Sequence, residues 1–339
     1  MGRITHGSSG TIWTDMVFNA KSFLYFLWAA AVFLVGVSIV AFGGGMFWGF
    51  EVLAAFRHYY LAAGFILVFT CLFTRAKPLI AVSLMTMVLN GWQVLPVYFS
   101  ATASAADELF SSEDTLTVLQ SNVYYNNKNF DQVAAYIQQT NADVVALQEV
   151  VYKFSSLLDK HPALQAQYPY QVIKPRAGMA VLSKYPLENI RTLSVIPEEG
   201  WDSVLTTQLN VNGQIATLIV MHPAHPTGEY DTWRQRKVVD RLVANAKELT
   251  KPMILVGDLN ATPWSHEFYR IKSGLGLKDS RQGFGLQGTW PASLDVGLFR
   301  LPIDHGLLSP EIKVMSRTVG PDIGSDHLPV LLKVALPGS

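Results

Sequence analysis

Three short polar motifs past residue 114 stand at the edges of apolar runs. Gln148-Glu149 closes residues 144–147, Gly257-Asp258-Leu259-Asn260 closes residues 253–256, and Ser325-Asp326-His327 precedes residues 328–334. A carboxylate displayed where a buried strand emerges is expensive to hold unless a cation or hydrogen bonds compensate it. Taken singly, each acid reads as a helix cap or a turn residue. Glu149, Asp258 and Asp326, joined by the amide oxygens of Asn122 and Asn260, instead make an all-oxygen set within one domain. Such a set suits Mg²⁺, or Mn²⁺, better than zinc, which prefers nitrogen and sulfur.

The elements that carry these motifs follow an α/β pattern. Apolar runs at residues 116–119, 144–147, 215–220, 253–256 and 328–334 alternate with helical stretches. Asn212-Gly213 separates the strand-like runs 204–211 and 214–220, a strong signal for a two-residue hairpin. Residues 231–249 read as a helix with Val238, Leu242 and Ala246 on one face and Val239 and Val243 widening it. Residues 130–140 read as another, with Phe130, Val133 and Ile137 spaced for burial. The domain so outlined runs from 114 to 336, enough for one sizeable core.

The chain as a whole is too apolar to be only that domain. Of its 339 residues, 50% are hydrophobic and 15% charged, against about a quarter charged in an ordinary soluble protein. The excess lies in residues 1–99, where 22–50, 59–74 and 78–106 carry no charge. These stretches predict three transmembrane helices centred near residues 32, 65 and 87, the middle one short unless residues 52–56 extend it. In that case Arg57 and His58 lie near its end, where a long side chain can reach the headgroups. With the N-terminus inside, Arg3, Lys21, Arg75 and Lys77 are cytoplasmic, and everything past about residue 106 is periplasmic or extracellular. Residues 100–113, rich in Ser and Ala up to 112, read as the linker. The only cysteine, Cys71, excludes an intrachain disulfide framework and a multi-cysteine zinc site.

The motifs together resemble the endonuclease/exonuclease/phosphatase, or DNase I-like, superfamily. Asn122 in Gln-Ser-Asn-Val, Gln148-Glu149, Gly178-Met179-Ala180-Val181-Leu182-Ser183, His222-Pro223, Gly257-Asp258-Leu259-Asn260, Ile303-Asp304-His305 and Gly324-Ser325-Asp326-His327 follow its order and approximate spacing over residues 115–334. The resemblance implies a four-layer α/β sandwich of two packed β-sheets flanked by helices, with divalent-metal hydrolysis of a phosphoester at one rim. It implies Glu149 as principal metal ligand, with Asn122 and Asp326 near the ion. Asp258 and Asn260 are implied to orient or deprotonate the attacking water. His327, paired with Asp304, is implied to contact the phosphate, and His222 to contact it or assist the leaving group. Arg234 is a candidate for the family's arginine contact, and Tyr124 occupies a variable position.

Other patterns read as structure. His222-Pro-Ala-His225 has zinc-like spacing, but Pro223 and Pro226 forbid the helix that would align the rings. The Gly283, Gly285 and Gly288 series counts as a dinucleotide fingerprint, yet Thr289-Trp290-Pro291 follows instead of a helix, so it reads as a loop. Asn90 and Gln93 in the third span read as packing or interfacial polar groups.

The substrate is a phosphoester of a class the motifs leave open. After residue 100 the chain has 21 Lys and Arg against 24 Asp and Glu, a net charge of −3, which disfavours tight polyanion binding. A short linker keeps the domain near the lipid bilayer and raises the effective concentration of lipid-borne substrate. The layout resembles membrane-anchored bacterial members associated with teicoplanin resistance, which implies a lipid-linked phosphate or pyrophosphate of the cell envelope. A phospholipid headgroup is the other lipid reading, by resemblance to sphingomyelinase-like relatives. Trp201, Trp264, Trp290 and Phe284 are candidates to touch an acyl or prenyl chain or, equally, to pack the core or rim. A surface or periplasmic nuclease is the alternative. A non-catalytic envelope module has no need of Asp258 and His327 together.

Overall fold

The computed structural model describes residues 20–99, 115–154, 160–195 and 202–337. The expected linker and Trp201 lie outside the described residues.

The N-terminal part consists of α1 (Ala20–Val40), a short α2 (Trp48–Ala55), α3 (Arg57–Thr74) and α4 (Lys77–Val94). Three segments, Lys21–Gly43, Arg57–Thr74 and Lys77–Tyr98, are long and apolar enough to cross a membrane. Leu27, Ala31, Leu67, Cys71 and Leu79 pack between these helices. The middle span is not extended by residues 52–56. Those residues end α2 and the turn after it, and the chain breaks helical geometry at Phe56, with ψ near 11°. Arg57 therefore does not reach outward. It is buried, lies over the Phe42 ring at 3.9 Å and donates to Asn90 Oδ1 at 3.3 Å. Asn90 in turn donates to Ser38 Oγ at 2.7 Å and to the Thr86 carbonyl at 2.8 Å. One amide thus ties α1, α3 and α4 together and satisfies polar groups buried between them.

The second part is built on two six-stranded mixed sheets. The first contains β1 (Thr115–Asn122), β2 (Val144–Gln148), β3 (Tyr170–Lys174), β4 (Met179–Ser183), β11 (Lys313–Val319) and β12 (Val330–Ala335) in the order β11-β12-β1-β2-β4-β3. The second contains β5 (Leu187–Ser194), β6 (Ser203–Val211), β7 (Gln214–Met221), β8 (Met253–Asp258), β9 (Lys278–Asp279) and β10 (Asp304–Leu308) in the order β5-β6-β7-β8-β10-β9. The pairs β1–β2 and β7–β8 are parallel, and the other pairs are antiparallel.

Strand alternation creates the four layers. Val118, Val144, Val181, Leu218 and Val256 face inward and fill the space between the sheets. Their neighbours Leu119, Val145 and Leu147 face the opposite way, against Val133 and Ile137 of α5 (Phe130–Thr140) and Leu164 of α6 (Pro162–Gln167). On the far side Ile219 and Leu255 meet Val238 and Leu242 of α7 (Glu229–Ala244) and Phe268 and Ile271 of α8 (His266–Leu275).

The expected hairpin is present, with Val211 paired to Gln214 and positive φ at both Asn212 and Gly213. The helix expected over 231–249 is shorter at its end. Asn245 Nδ2 donates to the Arg241 carbonyl at 2.7 Å and stops α7, leaving a 3₁₀ turn at Ala246–Glu248. The last strand begins at Val330 rather than 328, just after Pro329, which has no N–H to give a ladder.

The two parts meet at the end of the bundle opposite Arg75 and Lys77. Ala41, Ala54, Leu61 and Val94 pack with Trp264 and Leu286. Arg236 Nη2 donates to the Gly44 carbonyl at 2.6 Å, and Tyr59 Oη donates to the Phe299 carbonyl at 2.7 Å. The glycine-bearing loop after β9 is part of this seam, since Gly283 N–H and Gly285 N–H both donate to the Val97 carbonyl at 3.0 Å. Buried Glu51 of α2 accepts from the main-chain N–H of His266 at 3.1 Å and of Glu267 at 3.4 Å. Those N–H groups open α8 and have no partner within it, so the anchor caps a helix of the domain.

Candidate active site

Strand register assembles the site. Asn122 ends β1 opposite Gln148 at the end of β2, and Glu149 follows with φ near +57°. In the other sheet Asp258 at the end of β8 pairs with Asp304 at the start of β10. Gly257 precedes Asp258 at φ near +154°, where a Cβ would strike the Met221 carbonyl. The absence of a side chain there lets β8 lie close to the end of β7, and the next residue along β7 is His222.

Asn122 bridges the sheets. Its Nδ2 donates to Glu149 Oε1 at 2.9 Å and to Asp258 Oδ2 at 3.0 Å, while its Oδ1 accepts from Tyr124 N–H at 3.0 Å. In this arrangement Asn122 separates two acids with its amide nitrogen. Glu149 Oε2 takes the Tyr125 N–H at 2.9 Å. His222 Nε2 lies 3.4 Å from Asp258 Oδ2 and 3.7 Å from Glu149 Oε1. Asn260, at φ near +48°, gives its N–H to Asp258 Oδ1 at 2.9 Å and its Nδ2 to the Pro223 carbonyl at 3.0 Å.

His327 is held from the other side. Its Nδ1 donates to Asp304 Oδ2 at 2.9 Å, and its Nε2 lies 3.6 Å from Asp258 Oδ2. Gln120 Nε2 supplies the second oxygen of Asp304 at 2.8 Å and also reaches Gln148 Oε1 at 2.7 Å. Burial alone would push the His327 imidazolium down, but the Asp304 and Asp258 carboxylates outweigh it and raise the group to about 10. His222 is likewise raised despite burial, by its contact with Asp258. Burial would raise Asp258, yet the flanking His327 and His222 hold it well below the usual carboxylate range.

Beneath Asp304 lies a buried basic pair that the sequence did not reveal. Arg281 Nη2 and Arg317 Nη2 donate to the Asp304 carbonyl at 3.1 Å and 3.0 Å. Arg281 also donates to His305 Nδ1 at 2.9 Å, so the His305 proton sits on Nε2, which donates to the Ala261 carbonyl at 2.7 Å. Burial pushes Arg317 down to about 9, helped by the neighbouring Arg281.

Two groupings could hold a cation. Asp258, Asp304 and His327 each bring one ligand atom within 4.8 Å of the others. Both oxygens of Asp304 are already taken, however, one by Gln120 and one by the His327 N–H, so this trio reads as a hydrogen-bonded relay. Asp326 differs. Its Oδ2 receives Trp290 Nε1–H at 3.4 Å, while Oδ1 is buried with no hydrogen-bond partner among the described residues. Burial raises the Asp326 carboxyl, with His327 opposing and Glu149 adding to the effect. An orphaned carboxylate oxygen near a second acid is the donor set a hard divalent cation fits.

All eight residues picked from the motifs are therefore at one rim: Asn122, Glu149, His222, Asp258, Asn260, Asp304, Asp326 and His327. Arg234 also lines the cleft, ion-paired to Asp202 at 2.7 Å and Asp231 at 3.1 Å. His225 is exposed and pairs with Thr227 Oγ1 at 2.6 Å. Gln120 and Ser325 were missed. Ser325 Oγ donates to the Asn122 carbonyl at 2.7 Å and accepts His327 N–H at 3.1 Å, a link that the Ser-Asp-His motif already contained.

Residues 119–327 match the model of the Endonuclease/Exonuclease/phosphatase family, and the chain belongs to that family. Its members are hydrolases acting on phosphoesters and are generally divalent-metal dependent. Among solved structures it is similar to a family protein from Bacteroides thetaiotaomicron, with TM-score 0.55 and 19% identity over 66% of this chain and 98% of that one. D. rerio TDP2 complexed with single strand DNA product gives TM-score 0.53 and 19% identity over 65% and 98%. The mannosyl-6-phosphatase Bt3783 of B. thetaiotaomicron gives TM-score 0.53 and 18% identity over 65% and 100%. At these identities the likeness is one of fold. No curated protein matches the chain.

Proposed function

We propose that this family member is a membrane-anchored phosphoesterase, dependent on Mg²⁺ or Mn²⁺, whose site faces the periplasm or cell exterior and acts on a lipid-borne phosphoester. A lipid-linked phosphate or pyrophosphate and a phospholipid headgroup are the substrates in view. The observation that carries the reading is the docking of the domain on one end of the three apolar helices, through Gly44, Glu51, Tyr59 and Val97. A site held there works at the surface of a bilayer. Arg75 and Lys77 lie between α3 and α4 at the far end, which agrees with that end being cytoplasmic.

A divalent cation held by Glu149 and Asp326, with Asn122 beside them, would drain charge from the phosphoryl oxygens. The chain's own groups do the rest. Asp258 stays ionised between His222 and His327 and, steadied by Asn260, accepts a hydrogen bond from the attacking water and orients it. His327, protonated and fixed by Asp304, offers Nε2–H to a phosphoryl oxygen. His222 stands across Asp258 from it and offers a proton toward the leaving oxygen.

The full-length protein in lipid nanodiscs, assayed with Mg²⁺ and with chelator against undecaprenyl pyrophosphate, sphingomyelin, phosphatidylcholine and plasmid DNA, tests the reading. Metal-dependent turnover of a lipid and little cleavage of DNA is the expected result. Efficient, salt-sensitive DNA cleavage with no lipid turned over would replace it with a nuclease.

A further inference from the structure

The cleft that holds Glu149, His222, Asp258 and His327 is not closed by the catalytic domain alone. Val52, Ala55 and Phe56 of the anchor line the same cavity, whose volume is about 600 Å³. The spacing of residues 52, 55 and 56 puts them on one side of α2 and the turn that ends it. Ala54, 1% exposed, is on the docked side, and Glu51, 2% exposed, reaches the edge of the same cavity with its carboxylate taken up by the N–H groups that open α8. Val52, Ala55 and Phe56 stay half-buried, so they are apolar groups held against an open cleft and not against a core. From the domain, Leu301 and Ile303 line the same space.

Phe56 runs directly into α3, one of the helices long enough to cross a membrane. An apolar wall thus continues from the catalytic rim to the end of a span. A sugar phosphate gains nothing from such a wall, whereas a hydrocarbon chain is removed from water by it.

We propose that α2 is part of the substrate site, and that Val52, Ala55 and Phe56 bind the first methylenes of a hydrocarbon chain carried next to the phosphoester. This inference rests on the lipid-directed reading and sharpens it. The anchor does more than keep the domain near the bilayer, because it supplies the surface that selects an amphiphilic phosphoester over a wholly polar one.

The test compares methyl and octyl esters of p-nitrophenyl phosphate, cleaved by the full-length protein in nanodiscs with Mg²⁺. The readout is the octyl-to-methyl ratio of kcat/KM, in which any common loss of folded enzyme cancels. The wild-type ratio should be about 10 or more, from a few buried methylenes and from partition of the octyl ester into the bilayer. Ala55→Phe fills the wall and Val52→Gln makes it polar. Each leaves partition unchanged and should cut the ratio by about 5-fold or more. Two variants are read because an overpacked Ala55→Phe chain could fold poorly. If the wild type prefers the octyl ester and both variants keep its ratio, the wall does not bind the chain, and the lipid-directed reading stands without it. A wild-type ratio near one removes the lipid-directed reading and this inference together. Cleavage of neither ester removes this inference, which needs a chain-bearing phosphoester to be turned over at the site, and leaves lipid-linked phosphate and pyrophosphate to the nanodisc panel above.

Discussion

At the catalytic rim Asp258 lies between two histidines and Asp304 is hydrogen-bonded on both oxygens, whereas at the seam one buried acid, Glu51, accepts two main-chain N–H groups as its hydrogen bonds among the described residues. The rim is over-determined. Asp258 and Asp304 each have two or more side-chain partners, so the loss of one leaves the others in position and the cost appears in chemistry. The seam is held by single bonds, mostly from side chain to backbone, around a small apolar cluster of Ala41, Ala54, Leu61, Val94, Trp264 and Leu286. Loss there should appear in stability and in how the parts stay together.

The contrast is tested most severely by Glu149→Gln. The change keeps shape and removes the charge that, with Asp326, would hold the cation, so turnover should fall by about 10³-fold, the upper range for a group acting on developing charge. Cation affinity should fall with it, as read by calorimetric titration with Mn²⁺, while the protein still unfolds cooperatively, its stability lowered by about 1–2 kcal/mol because Gln keeps one of the two acceptors that Asn122 and Tyr125 use. Unchanged metal dependence would contradict the assignment of Glu149.

Asp258→Asn comes next. It should lower turnover by ~10²-fold, the usual scale for a positioned base, and leave Mn²⁺ affinity near wild type. If Asp258→Asn abolished cation binding instead, the trio Asp258, Asp304 and His327 would have to be taken as the metal site.

These rim residues were legible because strand ends write themselves into sequence. A run such as Met253–Val256 is apolar on both faces, so the polar Asp258 and Asn260 that follow stand out against it. Arg281 and Arg317 were not legible, although both are fully buried under Asp304. Nothing local separates a buried arginine from a solvated one when its partner is a main-chain carbonyl some two dozen residues away, as Asp304 is for Arg281. The spans were legible from apolar length, but the turn of Arg57 into the bundle was not, since it depends on Asn90 in another span. The seam was invisible for the same reason. Nothing near Glu51 in sequence points to α8, and the loop reading of glycines 283 and 285 carries no sign of the Val97 carbonyl that holds them.

The seam's own largest effect should come from Glu51→Ala. Removing both acceptor oxygens leaves the first N–H groups of α8 without partners in a buried place, a cost of about 1–2 kcal/mol, read as a lower unfolding midpoint of the full-length protein in detergent. Burial pushes the Glu51 carboxyl up, against the His266 and Glu267 N–H groups, which favour its ionised form. Glu51→Gln, which keeps one acceptor, should therefore cost less than Glu51→Ala. The reverse order would mean that the ionised form, acting on the N-terminal end of α8, is what holds the parts together.

The smallest effect should come from Tyr59→Phe. The hydroxyl donates to the Phe299 carbonyl at 2.7 Å, and the ring also stacks on Phe299 with centroids 6.4 Å apart. The substitution removes only the first of these contacts. Because this bond is exposed, water can replace the hydroxyl at the carbonyl, so the loss should stay under about 1 kcal/mol. Hydrogen exchange resolves so small a change better than melting does, since it reports local opening directly. Exchange should quicken slightly in the segment Gly297–Phe299 and remain at the wild-type rate in α8, which Glu51 caps independently. If Tyr59→Phe loosened α8 as much as Glu51→Ala does, the seam would open as one cooperative unit. Its weakness relative to the rim would then be a property of the whole interface and not of its separate bonds.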